Sequence, residues 1–215
     1  MFVFDELSKK YYVLKNQIND PEQGLVSDSY ALDRVIEIKE QPSYEGQTLI
    51  TQSVGMDADA HVLSLALAES GKINLVSLQY IDFRAAKDED PEIKEQGILK
   101  TSESLSLAGA DANTRGILVG QDWYFVVGNK VYTSPVLKPQ LADLTTLPDD
   151  LGVPVAVAVT SKETHLIIAT YDAGSSHENK GSFALVDLTT KEVKVHRNVM
   201  GKCVVAKGYD ANPWF

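Results

Sequence analysis

The stretch from Pro154 to Arg197 does most to limit what this chain can fold into. It reads Pro-Val-Ala-Val-Ala-Val-Thr, Thr-His-Leu-Ile-Ile-Ala-Thr-Tyr, Gly-Ser-Phe-Ala-Leu-Val-Asp-Leu and Lys-Glu-Val-Lys-Val-His-Arg, four strand-like runs separated by turn residues. The first three runs are apolar at nearly every position, the pattern of strands covered on both faces. The fourth alternates Val193 and Val195 with Lys194 and His196, the pattern of a strand with one wet face. Together they predict a complete antiparallel four-stranded sheet, stacked along its inner strands and solvated at its outer one. A β-propeller blade has this form, so the fold class expected is all-β: a β-propeller or partial β-propeller built from four-stranded antiparallel blades.

The rest of the chain offers further pieces of the same kind. Phe2-Val-Phe-Asp5 and Lys10-Tyr-Tyr-Val-Leu14 flank a short polar link and predict a hairpin. Its scheme of strand, Asp at the exit, three linking residues, Lys and strand returns at Ala184-Leu-Val-Asp187 and Lys191-Glu-Val-Lys-Val195, where the Asp can bond the amides of its own turn. Arg34–Ile38, Thr48–Thr51, His61–Leu67 and Lys72–Leu78 read as a second blade, with Ala68–Gly71 as its clearest hairpin link. Ala85 to Lys100, with Asp88-Glu-Asp-Pro-Glu92 at its heart, reads as an acidic surface loop. Asp122–Val127 and Lys130–Thr133 meet across Gly128-Asn129, a tight two-residue turn. Pro135 to Gly152 reads as an irregular crossing, and Lys202–Lys207 as one further strand. Residues 1–215 are expected to form a single propeller-like domain. Its strands fill about four blades, the low end for propellers, and strand-like sequence begins directly after Met1, so the chain is expected to be the C-terminal part of a longer protein.

Charge and cysteine usage exclude several function classes. With 20 Lys and Arg against 30 Asp and Glu the net charge is −10, which disfavours binding to phosphate backbones, and no nucleic-acid partner is expected. Cys203 is the single cysteine, so no intrachain disulfide and no cysteine metal knuckle can form. No run approaches the roughly 20 apolar residues of a transmembrane helix.

The search for catalytic chemistry returns little. His61, His165, His177 and His196 lack metal-ligand spacing, and each reads as structural; no metal site and no cofactor is expected. There is no Gly-x-Ser-x-Gly elbow and no phosphate-cradling loop ending in Gly-Lys-Ser/Thr. Asp57-Ala-Asp59 and Asp111-Ala-Asn113 fit turns better than calcium loops. Acidic residues are so plentiful that any two could be nominated as a glycosidase pair, and abundance selects none. The sialidase repeat Ser-x-Asp-x-Gly-x-Thr-Trp and the Trp-Asp repeat ending are both absent. Aromatic residues are the remaining lead, because sugars stack their apolar faces on such rings. The ligand-binding candidates are Trp123, Tyr171 and Trp214, whereas Tyr124 and Tyr132 read as core filling between sheets.

The run Trp123-Tyr-Phe-Val-Val-Gly-Asn-Lys-Val-Tyr132, the Val155-to-Tyr171 strand pair, the link Ala173 to Gly181 and Gly201-Lys-Cys-Val-Val205 together resemble the C-terminal part of the PKD-like family of Bacteroidetes surface lipoproteins. The resemblance is closest over residues 100 to 207. It implies a secreted, lipid-anchored protein at the outer-membrane surface with an upstream immunoglobulin-like region, and it brings no catalytic residues with it.

The function expected is therefore a non-catalytic binding or scaffold module of a cell-surface protein, engaging carbohydrate or a partner protein in nutrient uptake. The alternative is a glycan hydrolase or lyase with carboxylates at a channel mouth. A purely structural piece would instead pair copies of itself through exposed strand edges.

Overall fold

The structure is a computed structural model and describes residues 2–5, 10–16, 30–36, 46–57, 60–81 and 98–201. All the regular structure in these residues is β apart from one 3-10 turn, and it falls into one three-stranded and three four-stranded antiparallel sheets. Among the described residues each sheet is open, its first and last strands unpaired with one another.

Sheet one joins β1 (Phe2–Asp5), β2 (Lys10–Asn16) and β3 (Tyr30–Ile36) in that order. The expected first hairpin is present, with Phe2 opposite Val13 and Asp5 opposite Lys10. Sheet two joins β4 (Thr48–Asp57), β5 (Ala60–Glu69), β6 (Lys72–Ile81) and β7 (Ile98–Ser106). This corrects the second blade in two places. The strand containing Arg34 belongs to sheet one, where Tyr11 pairs with Ile36 and Asn16 with Tyr30. The missing fourth strand is β7, which begins at Ile98, inside the segment read as a loop. Its Lys, Thr, Ser and Glu residues give it the polarity of a connection, and hydropathy cannot separate the two.

Sheet three runs in the order β11-β10-β9-β8, formed from β8 (Arg115–Val119), β9 (Asp122–Val127), β10 (Lys130–Pro135) and β11 (Ala142–Thr146). After a 3-10 turn at Asp149–Leu151, sheet four follows as β12 (Val153–Val159), β13 (His165–Tyr171), β14 (Gly181–Asp187) and β15 (Val193–Met200). It is the four-stranded sheet expected from Pro154 to Arg197. The Asp187 turn also forms as expected: its Oδ1 accepts the N–H of Thr189 and of Thr190, both at 2.7 Å. In the Gly128-Asn129 turn Gly128 alone takes a positive φ, 58°. Lys202–Lys207 with Cys203, Trp214 and the acidic run Asp88–Glu92, for which the sequence also gives expectations, lie outside the described residues.

The chain divides into two compact units. One comprises Met1–Gly46, Ser53–Ser64 and Val76–Ser102; the other comprises Gln47–Gln52, Leu65–Leu75 and the chain from Glu103 on. In the second unit the strand period of two assigns the large apolar residues of sheet three to one of two cores. Trp123, Phe125 and Val127 point towards Ala66, Ile73 and Leu75 of sheet two, together with Leu118 and Tyr132. Tyr124 and Val126 point the other way, with Val119 and Val131, onto Val159, Leu166, Ile168, Ala184 and Val186 of sheet four. Sheet three is thus covered on both faces, which is why its inner strand β9 is apolar from Trp123 to Val127. Gly116 permits the first contact: a Cβ there would stand 2.8 Å from Phe125 and 3.0 Å from Ile50.

Sheets three and four are also tied by polar groups. β12 bulges between Pro154 and Ala156, and the carbonyl of the bulged Val155 accepts a hydrogen bond from Arg115 Nε at 3.0 Å. Arg115 Nη1 donates to the Ala112 and Thr114 carbonyls as well, both at 2.9 Å. The guanidinium fork thereby satisfies three acceptors of irregular backbone that no ladder reaches.

Candidate functional site

The second face of sheet four is built by register. One face of β12–β15 packs on sheet three; residues on the opposite face follow from the pairing, since directly opposed residues in a ladder project to the same side. Three rows result. The first holds Ala158, Ile167, Leu185 and Lys194; the second holds Ala156, Ala169, Phe183 and His196; the third holds Val153, Tyr171 and Gly181. Small residues on β12 and the inner part of β13 give way to large ones on β14 and β15, so the face carries bulky groups on its outer half.

Phe183 and His196 are stacked, with ring centroids 4.6 Å apart and planes inclined by 18°. Phe183 is half-buried and His196 exposed. Tyr171, also half-buried, lies diagonal to Phe183, because Gly181 directly opposite it has no side chain. Val153, opposite Tyr171, is 57% exposed, unusually open for its size. The three rings thus border an apolar shelf whose outer margin carries Lys194.

The backbone holding this shelf is irregular where it needs to be. The β14–β15 ladder slips between Gly181 and Phe183, and Asn198 takes a φ of 54°, which Asn tolerates better than most residues. Its N–H donates to Ser182 Oγ at 3.0 Å, so the bulge leaves that donor satisfied. Beyond it Arg197 grips Asp150 with two hydrogen bonds, 2.8 and 3.1 Å, fastening the outer strand to the 3-10 turn. The bond from Arg197 holds the Asp150 carboxyl below its ordinary range, and the same bond raises the guanidinium.

At the far end of the face His165 pairs with Asp187 across the ladder, Nε2 to Oδ2 at 3.4 Å, while its Nδ1 meets Thr164 Oγ1 at 2.9 Å. Thr160 Oγ1 accepts the N–H of Thr164 and of His165. This hydroxyl, imidazole and carboxylate chain knits the β12–β13 turn to the β14–β15 turn. The amides that could stabilise an oxyanion are already bonded to Thr160, so the cluster reads as a staple. Asp187 is the one carboxylate that the strands β12–β15 place on this face.

The sequence candidates separate. Trp123 is 2% exposed and stacks beside Phe125 in the core between sheets two and three, ring centroids 6.1 Å apart. It supports the scaffold and is out of a ligand's reach. Tyr171 stays on the candidate face, and Trp214 lies outside the described residues. Phe183 and His196 were missed. The signal was available: counting back one for one from the Asp187 turn sets Phe183 opposite His196. Among the described residues no group of three or more His, Cys, Asp or Glu is placed to hold a metal ion, and no helix is long and apolar enough to cross a membrane.

No known family model matches the chain, and no curated protein matches it. Among solved structures it is similar to one described as the crystal structure of the tricorn protease, at 8% identity and a TM-score of 0.33. That likeness covers 89% of this chain and 20% of the other, so the chain spans about a fifth of that protein's length. It is too slight to carry function across.

Proposed function

We propose that this chain is a non-catalytic binding module of a cell-surface protein, that its sheets are blades of a propeller-like assembly, and that its ligand is carbohydrate. The observation that carries the reading is the face shared by Tyr171, Phe183 and His196. Aromatic and imidazole rings set in a half-exposed apolar surface suit the C–H faces of sugar rings, whose hydroxyls stay in water. Glycan hydrolysis needs two carboxylates flanking the scissile bond, and the strands of this face offer Asp187 alone, already engaged by its turn. The blade reading is supported by the strand order, sequential in each four-stranded sheet, and by the way sheets two, three and four meet face to face in chain order. The surface-lipoprotein relationship is part of the same proposal.

The test is affinity electrophoresis of the purified chain through gels containing host and plant polysaccharides. Retardation by one glycan class, lost in Tyr171→Ala and Phe183→Ala while both variants keep their near-ultraviolet circular dichroism, is the expected result. Migration unchanged in every gel would overturn the carbohydrate reading and favour a partner protein.

A further inference from the structure

Resting on that binding reading, we infer that the ligand is an acidic polysaccharide, one bearing uronate carboxylates. Lys194 stands two residues from His196 on the same strand and projects to the same side, opposite Leu185. It is exposed, and among the described residues no acidic group pairs with it. The other cation of this strand, Arg197, is held by Asp150. Lys194 is therefore a free ammonium at the rim of a ring-lined shelf.

A sugar ring laid against the face of His196 that Phe183 leaves uncovered would bring a substituent projecting along the outer strand to this ammonium. A neutral hydroxymethyl group there gains one ordinary hydrogen bond, whereas a carboxylate gains a charge-assisted one. The chain as a whole carries a net charge of −10, which repels polyanions at long range. That repulsion is screened over about 10 Å at 0.1 M salt, so a short-range contact with Lys194 can still decide selectivity. Asp187, the carboxylate on the same face, stands in the next row, diagonal to Lys194; its charge is engaged by two backbone N–H groups and by His165.

Polygalacturonate and its fully methyl-esterified form separate the possibilities, because they share a backbone and differ in charge. The inference expects retardation by polygalacturonate, weakened about tenfold by Lys194→Gln and by raising the salt, and abolished by Phe183→Ala. Lys194→Gln alters an exposed side chain, so its result stands whether or not the Phe183 variant folds. Equal retardation by both polymers, untouched by Lys194→Gln, would overturn the inference and leave the carbohydrate reading standing. No retardation by either polymer, with retardation by an unrelated neutral glycan, would do the same. Failure of every polysaccharide to retard the folded chain would remove both.

Discussion

Arg115 reaches across from β8 and gives its Nε hydrogen to the carbonyl of Val155, 3.0 Å away, at the one residue of β12 that has no partner in β13. An extra residue in a strand leaves its polar groups outside the ladder, and here a side chain of the neighbouring sheet takes up the orphan. Arg115→Met keeps the aliphatic stem but abandons three carbonyls. We expect a loss of about 1–3 kcal/mol, read as a lower urea midpoint with an unchanged slope. Arg115→Lys should recover little of it, because an ammonium cannot reproduce the fork.

Gly152 provides a sharper test of local geometry. Its φ is 78°, and an added Cβ would lie 2.5 Å from the Tyr171 carbonyl oxygen. Gly152→Ala should therefore cost more than the roughly 1 kcal/mol of a left-handed alanine. Gly128→Ala is the control, since Gly128 has a φ of 58° and nothing within 4 Å of its Cβ position. Thermal melts should place Gly152→Ala well below Gly128→Ala.

Trp123 and Tyr171 should part company when truncated. Trp123→Ala empties a core position and should cost about 3–5 kcal/mol. Tyr171→Ala removes a half-buried ring and should cost much less while abolishing glycan retardation. Denaturation and gel mobility measured on the same two proteins check this.

The Asp187 turn gives stability a dependence on pH. Its carboxyl is held below the ordinary 3.8 first by the Thr190 N–H, then by the Thr189 N–H, with nearby His165 adding to them and desolvation opposing. A carboxylate with a lowered pKa in the folded state contributes stability that is fully present above 3.8 and is lost as pH falls through the folded value. Asp150, lowered chiefly by its bond from Arg197, has the same sign. Urea midpoints of the parent and Asp187→Asn should differ most near neutral pH and converge in acid below the ordinary carboxylate range. A gap that stays constant would contradict the assignment.

Local chemistry made parts of the fold legible in the sequence. Asp187 announced its turn, Gly128-Asn129 its hairpin, and the unbroken apolar runs from Val155 to Val186 a sheet packed on a neighbour. Partner choice was harder to read. β3 could have joined β4 on hydropathy alone, and only the ladder from Tyr11 to Ile36 settles it. β7 hid because an outer strand needs few apolar residues. Trp123 begins a strand and so reads as a ring within a ligand's reach, yet strand parity sends it inward. The shelf became visible once register joined Tyr171 to residues more than ten positions away.

Sheet three also has a consequence for how the fold keeps its alignment. In a sheet with one wet face, a slip of one residue drives polar groups into the core, and burial itself proofreads the pairing. β9 has apolar residues facing both ways, Trp123 and Phe125 to one side and Tyr124 and Val126 to the other, so this penalty is weak. Alignment must then be encoded in the hinges of the sheet, the two-residue links Gly120-Gln121 and Gly128-Asn129, whose glycines have φ of 59° and 58°. A single residue inserted in either link would leave composition and hydropathy intact and exchange the two layers of the molecule's interior.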